Sequence, residues 1–261
     1  SMKLKTKPAL TVGAIAFATL VIAVLFKGVT EPTFAGRSLS QWLEQTDLDL
    51  SGSVIPSHDA VNAVGQMDHQ LVAETAIKWL NSPDPGINLW LRQNAGFPWS
   101  AYRARRRNGM LAFLALGENA KQHIHSVISL ALTSPDGDVR SNCICALGAS
   151  PDTAITELRS ILQTGSTDSR LAAVRLLGDI RCHSTSQQIE KNVIVECLTI
   201  ALSDDIERIQ IAAVEELRLN SHKCTLSEDT LDKLRVVACS AKSEAVKQHA
   251  SALVQAQLAE K

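Results

Sequence analysis

Residues 139–148 read Val-Arg-Ser-Asn-Cys-Ile-Cys-Ala-Leu-Gly, and a related decapeptide, Ser-Arg-Leu-Ala-Ala-Val-Arg-Leu-Leu-Gly, follows at residues 169–178. We call this pattern the frame: its second residue is polar, its fifth is small, and apolar residues surround the fifth. Further copies occupy residues 209–218 and 246–255, with looser copies at 58–65 and 110–117. Self-similarity that recurs every few tens of residues is typical of repeat proteins.

An amphipathic stretch with apolar residues at helical spacing precedes the frames, as at residues 155–162 and 194–202. Turn-forming residues separate the stretches, for example Ser-Pro-Asp-Gly-Asp at 134–138. No alternating β pattern of useful length occurs outside residues 9–26. The sequence therefore predicts an all-α protein of about six helical hairpins, stacked as a right-handed α-solenoid.

The frame predicts whether two of its positions are buried or exposed. The small fifth residue should be buried, because it lets the second helix of each hairpin approach its neighbours. The seventh residue should face outward, and its column carries no consistent charge. The fifth residues are Ala60, Ala112, Cys143, Ala173, Ala213 and Ala250, and the seventh are Asn62, Leu114, Cys145, Arg175, Glu215 and Ala252.

Polar residues mark the expected helix starts. Ser38 and Gln41 have the spacing of a capping box, in which each side chain bonds the other residue's backbone N–H. Asp138 and Asp168 fall at plausible N-cap positions of two frame helices. The acidic pairs 204–205 and 215–216 are expected at helix starts or on solvated helix surfaces.

The N-terminal part of the chain predicts a membrane anchor. Residues 9–26 hold no charged side chain and would span roughly 27 Å as a helix. Lys3, Lys5 and Lys7 precede them, which favours a cytoplasmic N-terminus and an extracytoplasmic remainder. The alternative is a secreted protein whose signal peptide is cleaved near residues 33–35. The expected order is a basic tail at 1–8, a transmembrane signal anchor at 9–26, a linker at 27–37 and the repeat domain at 38–261.

Charge argues against a general nucleic-acid binder. The net charge is −1 over 261 residues, and four lysines against Glu31 give +3 in the first 36 residues. The remainder therefore carries −1 − 3 = −4, whereas nucleic-acid binding requires a basic surface.

An insertion at about residues 81–100 lengthens the second repeat, and residues 79–102 hold five of the ten aromatic residues. Tryptophan and arginine dominate binding hot spots, so this segment is the candidate site for a protein partner. Alternatively, the aromatic residues pack the insertion onto its own repeats, and the arginine run at 103–107 is a solvated helix start. The candidate partner-binding residues are Trp90, Trp99, Tyr102, Arg103 and Arg106.

The six cysteines divide into two groups. Cys143, Cys197 and Cys239 fall at core positions of the repeats and are expected as buried small apolar residues. Cys182 and Cys224 follow frame helices of adjacent repeats, and a disulfide between them requires Cα atoms within about 7 Å.

The sequence shows no pattern that carries chemistry. No Gly-x-Ser-x-Gly elbow, Ser-x-x-Lys motif or glycine-rich phosphate loop is present. The His and Cys pairs lack the spacing that brings ligands to one tetrahedral metal centre. We therefore expect no enzyme activity, no metal and no cofactor.

These frames resemble the HEAT-repeat family, particularly its short HEAT-like form, over roughly residues 38–261. The segment Gly-Arg-Ser-Leu-Ser-Gln-Trp-Leu at 36–43 and the insertion are also similar to bacterial membrane-anchored HEAT proteins. The resemblance implies a non-enzymatic scaffold or adaptor that binds a protein partner on the extracytoplasmic side. It leaves open a lyase-type subunit that binds a tetrapyrrole-carrying protein, and a HEAT-like nucleic-acid repair protein.

Overall fold

A computed structural model describes residues 31–48, 54–82, 100–183, 191–221, 226–241 and 243–259. These residues are predominantly helical, which confirms the all-α prediction. The frames at 110–117, 139–148, 169–178, 209–218 and 246–255 lie in helices, except that Gly148 follows its helix and Gly117 begins a 3₁₀ helix. The helices are α1 Leu39–Leu43, α2 His58–Val64, α3 His69–Leu80, α4 Ser100–Leu116, α5 Ile124–Thr133, α6 Gly137–Leu147, α7 Pro151–Thr164, α8 Thr167–His183, α9 Lys191–Ala201, α10 Glu207–Ser221, α11 Glu228–Ser240 and α12 Glu244–Ala259, with a 3₁₀ helix Gly117–His123 between α4 and α5.

Two short antiparallel hairpins flank α1. Strands β1 Thr33–Phe34 and β2 Arg37–Ser38 pair across a two-residue turn, and β3 Thr46–Leu48 pairs with β4 Val54–Pro56. The turn residues Ala35 and Gly36 have φ of 50° and 76°, as a tight hairpin turn of this kind requires. Leu39 N–H donates to the Pro32 carbonyl at 2.9 Å. The second half of the segment predicted as a linker is therefore folded against α1.

The helices pack in two series. Within each hairpin, the odd-numbered helix contacts the even-numbered helix that follows it. The even-numbered helices, which carry the frames, also contact one another in chain order from α2 to α12; we call them the even row. Helices α5, α7, α9 and α11 do the same and form the odd row. Each helix after α6 therefore contacts the helix two places before it.

One apolar cluster runs through the molecule from Leu39 to Val254. Every fifth frame residue has 0% of its surface exposed, as the sequence predicts. A small side chain at this position leaves room for close approach between helices, and neighbouring Leu, Ile and Val side chains fill the remaining space.

The helix starts confirm one predicted cap and correct two. Ser38 and Gln41 form the capping box of α1. The Asp136 carboxylate, not Asp138, caps α6 by accepting from the Asp138 N–H at 2.9 Å. Helix α8 begins at Thr167, where Ser166 Oγ accepts from the Ser169 N–H. Asp138 and Asp168 lie in the first turns instead, where carboxylates favour the helix dipole.

No helix within the described ranges combines the length and apolar character needed to cross a bilayer. The anchor predicted at residues 9–26 lies outside those ranges.

Candidate protein-binding surface

The predicted aromatic binding segment falls mostly outside the described residues, including Trp90 and Trp99. Tyr102 lies in α4, but its side chain is also outside the description. Trp79 near the end of α3 is buried with 6% exposure, so this one aromatic residue of the segment belongs to the core.

Arg103 and Arg106 lie one turn apart on α4 and have different environments. Arg103 is exposed, and its Nε lies 3.2 Å from a carboxylate oxygen of the exposed Asp138 on α6. Arg106 is only 2% exposed, and its Nη2 lies 2.8 Å from Asp136. The Arg106 guanidinium is thus buried between helices, which corrects its assignment to an exposed partner surface.

Arg106 joins three parts of the chain. Its Nε and Nη2 donate to the Ser82 carbonyl, just after α3, at 3.2 and 3.0 Å. The bond to Asp136 reaches the turn before α6. A buried guanidinium is tolerated only with such partners, because removing a charge from water is costly.

The polar second residue of the frame has the same role in later hairpins. Arg140 donates to the Ser134 carbonyl at 2.9 Å, and Gln210 donates to the Asp204 carbonyl at 2.7 Å. Arg170 donates to the Gly165 carbonyl and pairs with Asp204 at 2.9 Å in the next hairpin's turn. The frame polar residue therefore satisfies carbonyls at the turn between the two helices of a hairpin.

Gly109 explains why Arg106 takes this role in α4. Gly109 occupies the second frame position there, and a Cβ at Gly109 would lie 2.8 Å from the Ala76 carbonyl oxygen. No side chain fits at that contact between α3 and α4. Arg106, one turn earlier, reaches the corresponding carbonyl.

The even row presents an outward surface defined by two frame positions. The seventh residues are all partly or fully exposed, as predicted. The third residues are exposed to a similar degree, and lie on the same side of each helix because positions four apart are neighbours. The third residues are His58, Met110, Ser141, Leu171, Ile211 and Gln248. We call the third and seventh positions together the outer column.

The outer column carries apolar side chains on its middle helices, where the exposed Arg175 and Glu215 occupy two of the seventh positions beside them. Met110, Leu114, Cys145, Leu171 and Ile211 are half-buried on four even-row helices that contact one another in order. Of these two outward-facing frame positions, the sequence pattern indicated the seventh and not the third. The four-residue spacing was the signal that could have identified it.

Glu216 lies at the contact between α8 and α10. A Cβ at Gly178 would collide with the Glu216 carboxylate, so the glycine makes room for it. Burial, then the nearby Asp179 and Glu215 carboxylates, raise the pKa of Glu216 to about 7, while Arg175 opposes the shift. Glu216 is thus half-buried between helices rather than on the solvated surface that the sequence predicted.

Two of the four cysteines whose side chains are described are buried packing residues. Cys143 and Cys197 are fully buried as predicted, and burial raises the pKa of the Cys143 thiol to about 12. Cys239 is exposed, which corrects its predicted core position, because the buried stripe of α11 runs through Leu231, Leu234 and Val237. The predicted Cys182–Cys224 bridge lies outside the described side chains.

The described part of the chain contains no candidate metal centre. There, no group of three or more His, Cys, Asp or Glu side chains is placed to hold a metal ion.

No known family model matches this chain, and no curated protein is significantly similar to it in sequence.

Proposed function

We propose that this chain is a HEAT-like α-solenoid and acts as a non-enzymatic scaffold that binds a protein partner through the outer column. The observation that carries the proposal is the set of partly exposed apolar side chains in that column, repeated on consecutive helices of the even row.

The packing of the helices supports the solenoid. In stacked helical hairpins each unit contacts only its neighbours, and equivalent helices contact equivalent helices. The two rows follow this rule, with α8 contacting α6 and α10, for example. The fifth frame residues are fully buried. Because one hairpin alone cannot cover its own apolar face, this burial explains why the hairpins pack on one another.

The composition of the outer column supports a protein partner over nucleic acid. Arg175 and Glu215 sit at equivalent seventh positions on neighbouring helices and have opposite charges. A phosphate backbone would require one positive sign along the row. Half-buried Leu171 and Ile211 instead provide the apolar contact area that protein interfaces use at their centre.

On the sequence alone, we also propose that residues 9–26 anchor the chain in a membrane and that the repeats lie on the extracytoplasmic side. The uncharged run and the preceding lysines support this orientation.

Introducing negative charge into the outer column tests the proposed function. The double variant Leu171→Glu, Ile211→Glu places two carboxylates at third frame positions that are partly exposed, so the carboxylates can reach solvent. The matched control is Val236→Glu, since Val236 is 62% exposed on α11 of the odd row.

The three proteins are used as baits in extracts of the cells that express the chain, with quantitative mass spectrometry. We expect proteins retained by the wild type and by Val236→Glu to fall at least about tenfold with the double variant, a loss of about 1.4 kcal/mol or more. Circular dichroism should be the same for all three. Equal retention by all three baits would refute the proposed surface.

A further inference from the structure

A groove of about 380 Å³ lies at the N-terminal end of the helical array, between the β1–β2 hairpin and α2. Its volume falls in the range of about 300–1,000 Å³ typical of ligand clefts. Of its lining residues, Asn62 also belongs to the outer column, as the seventh-position residue of α2. The residues that line it are Phe34, Trp42, Asp59, Asn62, Ala63 and Gln66.

One wall of the groove is aromatic and held in place. The Phe34 and Trp42 ring centroids are 6.4 Å apart at 42°, within the usual range for paired rings. The Arg37 guanidinium lies 4.2 Å from the Trp42 ring centroid and donates to the Gln41 carbonyl at 2.9 Å. The indole orientation is therefore fixed before any ligand arrives, which lowers the entropic cost of binding.

The opposite wall is polar and comes from α2 and the turn that follows it. Asp59 and Asn62 are three residues apart and share one face of α2, and Gln66 lies in the turn just after the helix. All three are exposed, and within the described residues their side chains make no hydrogen bond. The two amides both donate and accept, whereas the carboxylate accepts.

The charges of the groove indicate a neutral ligand. Asp59 is the one ionisable side chain among the lining residues, and Arg37 against the Trp42 ring offsets it. A ligand that suits both walls needs an apolar face for the rings and a row of hydroxyl-like groups for the amides. A pyranose ring has both, since its C–H face is apolar and its rim carries hydroxyls.

A proline-rich peptide is the main alternative for an aromatic groove. Such peptides present carbonyl oxygens that require a donor on the aromatic wall. The Trp42 Nε1–H already donates to the Phe34 carbonyl at 3.1 Å, so it is engaged within the chain. This favours a ligand that uses the ring surface rather than the indole N–H.

We propose that the groove formed by Phe34, Trp42 and the polar wall of Asp59, Asn62 and Gln66 binds a neutral saccharide. The sugar ring packs on the aromatic wall, and its hydroxyls bond the amides and carboxylate of the polar wall.

The test is NMR titration of the full chain labelled with ¹⁵N, with Trp42→Phe used to assign the Trp42 indole signal. The probes are chitotetraose, cellotetraose and maltotetraose, each to about 10 mM, where even weak binding of about 1 mM would saturate. Any detergent must lack a sugar headgroup. A pentaproline peptide is titrated in parallel.

We expect at least one tetrasaccharide to shift the Trp42 indole signal in a saturable way. Phe34→Ala and the double variant Asn62→Ala, Gln66→Ala should each weaken its affinity at least about fivefold. All three residues are exposed, so these variants should fold normally, and Gln163→Ala on the exposed surface of α7 serves as the control.

The proposal is overturned if no tetrasaccharide shifts the signal. It is also overturned if the affinity is unchanged in both groove variants, or if pentaproline shifts the Trp42 signal and the sugars do not.

Discussion

Arg106 connects α4 to the turns on either side of it through a single buried guanidinium. Its partners are the Ser82 carbonyl and the Asp136 carboxylate, and the latter also caps α6. One ion pair therefore couples a helix cap to the packing of two hairpins. Three residues earlier on the same helix, Arg103 pairs with Asp138 at the surface, which provides an exposed ion pair for comparison with the buried one.

Asp136→Asn should destabilise the protein by about 2 kcal/mol, because it removes the charge that compensates Arg106 and keeps an acceptor for the cap. The loss should be less than the roughly 3–5 kcal/mol of a fully buried pair, since the Asp136 side chain is 37% exposed. Asp138→Asn should cost less than about 1 kcal/mol, because both members of its pair are exposed. Urea unfolding measures both, and equal losses would contradict the assigned role of Arg106.

The burial of Arg106 could not be predicted from its neighbours in sequence. The run at residues 103–107 contains four arginines, and sequence alone indicated a solvated helix start. Which arginine points inward depends on where α3 and the turn before α6 lie, and both are set by packing. Cys239 shows the same limit, since its place in the repeat pattern predicted a core position and the buried stripe of α11 does not include it.

Helices α3 and α4 approach each other at Gly109. A Cβ there would lie 2.8 Å from the Ala76 carbonyl oxygen and 3.0 Å from Leu80 Cγ. Backbone atoms cannot move aside as a flexible side chain would. The contact therefore fixes both the glycine and the spacing of this hairpin.

Gly109→Ala should lower the free energy of unfolding by about 1–2 kcal/mol, because overpacking outweighs the gain of roughly 1 kcal/mol in helix propensity. Gly137→Ala is the matched control at the start of α6, where the nearest atom to an added Cβ is Arg140 Nη2 at 3.8 Å. That variant should keep or slightly raise the melting temperature. A Gly109→Ala protein as stable as the wild type would show that the helices are not in this contact.

For the helices, the sequence predicted their presence more reliably than the residue at which each one begins. The turn before α6 offers Asp136 and Asp138 as caps, and both satisfy the residue preference. The choice depends on Asp136 also bonding Arg106 from α4. The capping box of α1 was predictable because Ser38 and Gln41 provide both halves of a local motif.

For the whole molecule, the repeated frame carried most of the predictive information. A small residue every few tens of positions, within a helical pattern, predicted six buried sites, and all six are buried. The groove beside Trp42 was not predictable. Its walls come from the β1–β2 hairpin, α1 and α2, and the hairpin occupies a segment that the sequence indicated only as a linker.

The account depends on frame helices packing against one another while the intervening helix lies in the other row. Gly178 on α8 and Glu216 on α10 meet directly, although α9 separates them in the chain. A disulfide requires Cβ atoms about 3.5–4.5 Å apart, which suits this contact.

The most direct measurement is therefore oxidative cross-linking of Gly178→Cys, Glu216→Cys, in a chain whose six native cysteines are replaced by alanine or serine. The control pair Gly178→Cys, Glu215→Cys moves the second thiol one residue, onto an exposed position of α10. The account predicts rapid cross-linking of the first pair in the folded protein and little of the second. Failure of the first pair to cross-link, or equal cross-linking of both, would contradict the stacked rows.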